Sequence, residues 1–135
     1  MISKPVQCCT ILVISNRRSR PKFEINKEAP FNPIRQDTKN GKLREYPYDS
    51  TVNYGAFPQT WEDPFHREKG LDLGGDNDPL DVLELSSKVC STGDVYDVKV
   101  IGALALVDGG EMDWKVITVR TDDALALKVD DVASA

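Results

Sequence analysis

The chain has 135 residues, a hydrophobic fraction of 40% and a net charge of −5, enough for one compact domain with its own core. No apolar run reaches the about 18 residues a membrane-spanning helix needs; the longest, 98–107, contains Lys99 and Gly102. Residues 1–75 hold 12 basic and 9 acidic side chains and residues 76–135 hold 5 and 13, which argues against a nucleic-acid partner, because phosphate contacts need a basic face.

At the N-terminus, Lys4 precedes a short apolar run over 8–14, followed by Arg17, Arg18 and Arg20. The run is too short for a secretory signal. A cytoplasmic location is the simplest expectation, and the lack of acids before Glu24 leaves a mitochondrial presequence as its alternative. Residues 11–14 favour a strand, and Lys22 to Ile25 alternates polar and apolar residues like a half-buried strand. Pro30 and Pro33 punctuate a turn-rich stretch, and Asn40-Gly41 is predicted to turn a hairpin, with Lys42-Leu43-Arg44 opening the next strand. An extended segment is expected over 57–61, a long loop over 62–75 and a short strand over 79–85. Residues 96–107 carry the strongest strand signal, apolar on both faces and therefore expected to be buried on both. A turn at Gly109-Gly110, a strand over 116–119 and a short helix from Asp122 to Ala126 complete the series. Short strands with Gly/Pro turns and little helix predict a mainly β fold, a small barrel.

The three cysteines, an odd number, read as reduced thiols. Cys8 and Cys9 are adjacent, not a zinc-type pair, and His66 is the one histidine, so a Cys/His zinc site is not expected. His66 falls in a charged loop, where exposure without a catalytic role is the simpler reading.

The densest chemistry lies in Gly75-Asp76-Asn77-Asp78-Pro79-Leu80-Asp81. Close carboxylates repel one another unless a cation compensates, and oxygen-rich clusters suit Mg²⁺ and Mn²⁺. A calcium-binding EF-hand is excluded: Asp81 sits where glycine is needed, and no acid follows at the last loop position. A self-bonded acidic turn is the alternative. Asp108, Glu111, Asp113 and Lys115 form a second group around a strand–turn–strand junction, able to add ligands or to stand as an exposed hairpin tip. Lys22 and Glu24 share a strand face. Arg44 and Tyr54 offer a bidentate and a phenolic donor for phosphate, although singly each reads as a surface residue.

Together these segments resemble the family I soluble inorganic pyrophosphatases of the eukaryotic type. Residues 76–82 match the signature D-x-D-P-x-D-V in full, accompanied by Gly41-Lys42-Leu43-Arg44, by the run from Asn53 to Pro64, and by Asp113-Trp114-Lys115. The match covers about Lys22 to Asp131, so 22–135 is read as the barrel domain and 1–21 as a divergent N-terminal segment. The resemblance implies a distorted OB-like five-stranded barrel that hydrolyses diphosphate to two phosphates with several Mg²⁺, for which Mn²⁺ is a substitute. By matched position, Asp76, Asp81 and Asp113 would hold a first metal, and Asp81 would bridge to a second. Asp108 and Asp113 would hold a further ion, and Glu24 would help hold another. Asp78 would be the general base, and Lys22, Arg44, Tyr54 and Lys115 would bind phosphate oxygens.

Three departures from the family pattern stand out. Ile14 occupies the place of a metal-associated glutamate, the loop after Arg44 is short with Tyr46 and Tyr48 only loosely matched, and the sequence given stops before the family's tyrosine–lysine pair and C-terminal helix. The expected form is therefore incomplete at both ends, with a homodimer as the candidate assembly to cover bared apolar surface. The rival reading is an inactive isoform or paralogue that binds metal and diphosphate or pairs with a full-length subunit. An OB-type nucleic-acid module is disfavoured because Tyr46/Tyr48 and Phe57/Trp61 lack an adjoining basic run.

Overall fold

The computed structural model describes residues 8–131; Lys4 of the basic N-terminal pattern lies outside them. Among the described residues nine strands form: β1 (Cys8–Ser15), β2 (Phe23–Ile25), β3 (Ile34–Gln36), β4 (Thr38–Lys39), β5 (Lys42–Leu43), β6 (Asn53–Ala56), β7 (Asp81–Glu84), β8 (Val95–Asp108) and β9 (Glu111–Arg120). Five close a barrel in the order β1-β6-β7-β9-β8, while β2-β3 and β4-β5 are separate two-stranded ribbons. Residues 8–15, inside the divergent N-terminal segment, thus supply a wall of the barrel. The mainly β barrel expected from the sequence is present.

The β4–β5 hairpin turns at Asn40 and Gly41, both with positive φ (53° and 75°), as its Asn-Gly pair predicts. Inward-facing Ile11, Phe57, Val82, Val98 and Val116 form one core cluster. A second, of Ile101, Val119, Ala126 and Val129, seats the short 3-10 helix Ala124–Leu127 on the barrel. Each fully buried aliphatic side chain contributes roughly 1.5–3 kcal/mol. The helix expected near Asp122 is this turn, capped by Asp123, whose Oδ1 accepts from Leu125 N at 2.8 Å.

Two expectations need correction. Residues 57–61 are not an extended segment: Thr60 Oγ1 donates to Phe57 O at 2.7 Å and Gln59 takes φ 61°, so a side-chain-closed turn replaces further strand. Nor is β8 buried along its length. Among the described residues β1 pairs with its first residues, 95–99, and a register shift interrupts the β8–β9 pairing between Val100 and Gly102. Among the described residues the remainder pairs with β9, and Leu104, Leu106 and Val107 are 45%, 43% and 60% exposed.

A polar strut crosses the barrel. Glu84, fully buried, accepts from Asn53 Nδ2 (3.0 Å), Ser86 N (2.7 Å), Ser86 Oγ (2.9 Å), Tyr96 OH (3.0 Å) and Arg120 N (3.2 Å). Every lone-pair direction of that carboxylate is met, so its burial is tolerated.

Candidate functional site

Sheet register assembles the site at the barrel mouth. Ala56 of β6 stands opposite Asp81 of β7. Tyr54, two residues earlier and so on the same face, donates its hydroxyl to Asp81 Oδ1 at 2.5 Å. The parallel β7–β9 pair places Lys115 opposite Asp81, and the Lys115 ammonium bonds Asp81 Oδ2. Asp113, two residues before Lys115 on the same face, accepts from that ammonium at 2.7 Å. On β2's side Lys22 and Glu24 pair at 3.3 Å. In the signature loop Asp76 Oδ1 accepts from Asp78 N at 3.0 Å, and Asn77 takes φ 67° to make the bend. Asp78 Oδ1 pairs with Lys27 Nζ at 2.5 Å.

These groups converge. Lys22, Glu24, Tyr54, Asp76, Asp78, Asp81, Asp108, Asp113 and Lys115 all line one cavity of about 390 Å³. Of the residues given a site role by matched position, Arg44 alone is not on its wall; Glu111 of the second acidic group is also off it. Arg44 Nη1 pairs with Asp37 Oδ2 at 2.6 Å, while the Arg44 carbonyl accepts from Lys22 N at 3.0 Å and keeps the residue at the flank. Tyr46 lines the cavity and Tyr48 is exposed, which separates two tyrosines the sequence left level. Ile14 lines the cavity too, so the position matched to the family's glutamate presents an apolar side chain there. His66 is exposed and does not line this cavity.

The electrostatics are those of a site short of positive charge. Burial raises the Asp81 pKa to about 6, against the opposing pull of its bonds to Lys115 and Tyr54. Burial likewise raises Asp76, with the Asp78 and Asp113 charges adding to the rise, and raises Glu24 despite Lys22. Burial alone would lower Lys115, but its bonds to Asp113 and Asp81 outweigh that and raise it. Burial and the Asp81 charge push the Tyr54 phenol strongly upward, so it stays a donor.

Sequence reasoning assigned Glu62 no role. The structure puts one oxygen each from Glu62, Asp76 and Asp113 within 4.8 Å of one another, a group able to hold a metal ion. Glu62 is 8% exposed, and burial followed by the Asp76 charge raises its pKa to about 7. Nothing local flags it: Glu62 follows an aromatic and precedes Asp63 at the start of a loop, and only the fold returns it to Asp76. Three carboxylate oxygens with too little counter-charge are the donor set that hard divalent cations accept.

Comparison with known proteins places this geometry. The family model described as inorganic pyrophosphatase matches residues 11–134. The human protein named inorganic pyrophosphatase is 51% identical over 121 residues, covering 86% of this chain and 42% of that protein. A mitochondrial inorganic pyrophosphatase of Saccharomyces cerevisiae is 54% identical over 120 residues, covering 82% of this chain and 39% of its own length. An N-terminally truncated vacuolar soluble pyrophosphatase of Trypanosoma cruzi, solved in complex with PPi, superposes with a TM-score of 0.92 at 40% identity, covering 98% of this chain and 51% of that one. The chain therefore spans about two fifths of the length of these curated relatives.

Proposed function

The chain belongs to the inorganic pyrophosphatase family, and from that premise we propose that it hydrolyses inorganic diphosphate to two phosphates with Mg²⁺, Mn²⁺ serving as a substitute. The observation that carries this reading is the convergence of nine sequence-matched acidic, basic and phenolic residues on one cavity. Asp76, Asp81 and Asp113 would hold a first ion, Asp81 would share a second, Asp108 and Asp113 a further one, and Glu24 would help hold another. The unmet negative charge of these carboxylates fits such ions. Bound Mg²⁺ supplies Lewis-acid charge and eases deprotonation of water.

The chain's own residues position and neutralise. Lys22 and Tyr54 face the cavity as phosphate donors, with Arg44 reaching in from the flank once it leaves Asp37. Lys115 compensates both Asp81 and Asp113; when those acids are otherwise neutralised it is free to meet a phosphate oxygen. Asp78, held at the rim by Lys27, accepts the proton of the attacking water as the new P–O bond forms and the bridging P–O bond breaks. The leaving phosphate then carries away the electron pair. A second copy laid over the exposed Leu104, Leu106 and Val107 would give a homodimer. Both cytoplasmic and mitochondrial locations suit the chain; among the described residues no helix is long and apolar enough to cross a membrane.

The test is a ³¹P NMR time course of diphosphate with the purified chain. Conversion of its resonance into phosphate with Mg²⁺, and none with chelator, is the expected result. A folded chain that retains diphosphate in Mg²⁺ without converting it would favour the non-catalytic binding reading.

A further inference from the structure

We infer that Glu62 is a further ligand of the cation held by Asp76 and Asp113, a role that rests on the metal-dependent reading above. Glu62 is 8% exposed, and neither Oε1 nor Oε2 makes a hydrogen bond among the described residues. The Trp114 backbone N–H approaches and eases the charge in part without reaching hydrogen-bond geometry. Lys115, the cation of this cluster, is taken up by Asp81 and Asp113. A buried carboxylate with no partner is strongly unfavourable unless an ion or proton is supplied.

The backbone holds Glu62 in that position. Glu62 N donates to Asp78 O at 2.9 Å and Asn77 N to Glu62 O at 3.0 Å, so its main chain is bonded to the signature loop on both sides of the bend. Gly75 permits the approach: a Cβ there would lie 2.5 Å from the Glu62 carbonyl carbon and oxygen. The fold therefore presses an unpaired acid against two others, with one oxygen of each inside 4.8 Å. Added to Asp76, Asp113 and the Asp81 proposed above for the same ion, Glu62 would bring the protein oxygens to four, which leaves room for water or a phosphate oxygen in a six-coordinate Mg²⁺ or Mn²⁺ site.

The test compares the unsubstituted chain, Glu62→Gln and Asp113→Asn in two measurements: Mn²⁺ binding followed by the EPR signal of the free ion, and thermal melting in chelator and in Mn²⁺. A metal ligand predicts that Glu62→Gln melts no lower than the unsubstituted chain in chelator, because a neutral amide replaces an unpaired charge. It also predicts about tenfold or more loss of Mn²⁺ affinity at one site and a smaller Mn²⁺-induced rise in Tm. A Glu62→Gln chain that fails to fold or melts lower in chelator would show a structural role and overturn the inference. Full Mn²⁺ affinity in Glu62→Gln with loss in Asp113→Asn would overturn it while leaving the proposed function standing. No Mn²⁺ binding by the unsubstituted chain would overturn both.

Discussion

Glu84 and Glu62 are both buried carboxylates of one small barrel, yet they stand in opposite circumstances. Glu84, on β7, has five donors from three strands and the segment after it. Glu62, in the loop that folds back over the mouth, has none among the described residues. The two share a residue type and nearly the same exposure, so neither of these distinguishes them. Completeness of hydrogen bonding does: protein donors meet the Glu84 carboxylate in full, whereas Glu62 has both oxygens buried without a donor among the described residues and, as the inferred ligand, would be met by a cation. The other mouth acids lie between the two: Asp81 accepts from Tyr54 and Lys115, Asp76 from Asp78 N, and Glu24 pairs with Lys22, yet burial raises the pKa of all three.

Substitutions can break that comparison from either side. The largest effect is expected at the strut. Glu84→Ala leaves the Ser86 and Tyr96 donors and one of the two Asn53 amide hydrogens unpaired and should cost about 3 kcal/mol or more, seen as a fall in Tm of about 10 °C or more. Mg²⁺ should not restore it; restoration would mean that the strut and the mouth are one system. Next comes Lys115→Met at the mouth, which leaves Asp81 and Asp113 uncompensated. It should lower stability in chelator by about 1–3 kcal/mol, and Mg²⁺ should recover most of that in paired melting curves; equal loss in both buffers would contradict it.

Arg44→Ala tests the flank. Diphosphate binding, measured by calorimetry with Mg²⁺ present, should weaken by about tenfold, while Mn²⁺ affinity should hold. Equal losses would place Arg44 in the metal site or in the fold. The smallest effect concerns Asp37, whose pKa is lowered chiefly by its hydrogen bond from Arg44. A carboxylate depressed in the folded state adds stability above its unfolded pKa and loses it as pH falls through the lower folded value. Asp37→Asn should therefore differ from the unsubstituted chain by less than about 1 kcal/mol at neutral pH. The difference should close below about pH 4; a gap that widens in acid would reverse the sign of the pair's contribution.

Much of the mouth was legible because its residues sit in register-bearing patterns. Asp113 and Lys115 are two apart on β9, Lys22 and Glu24 flank Phe23, and the Asp76–Asp81 run is local, so spacing pairs neighbours within each group, while the joining of the groups into one site was legible only through the family resemblance. Strands were legible where a β-favouring apolar run or a turn pair marked them, as in β8 and the Asn-Gly turn of the β4–β5 hairpin. Burial along β8 was not, because which side chains of a doubly apolar strand are covered depends on what packs against each face, a tertiary fact with no local signal. The turn at 57–61 was misread because Thr60 Oγ1 competes for the Phe57 carbonyl where extended backbone was expected. Glu62 was invisible for a similar reason: its meaning comes from backbone bonds to Asn77 and Asp78 across a long loop.

The most direct test of the mouth as a cation-fed hydrolytic site measures phosphate release and Mn²⁺ binding in the same samples of the unsubstituted chain and Asp78→Asn. The expected result is Mg²⁺-dependent release that falls by about 10²–10⁴ in Asp78→Asn, with Mn²⁺ affinity largely retained. Unchanged release in Asp78→Asn would contradict the assignment of Asp78 as the base, and Mg²⁺-independent release would contradict the account of the mouth itself.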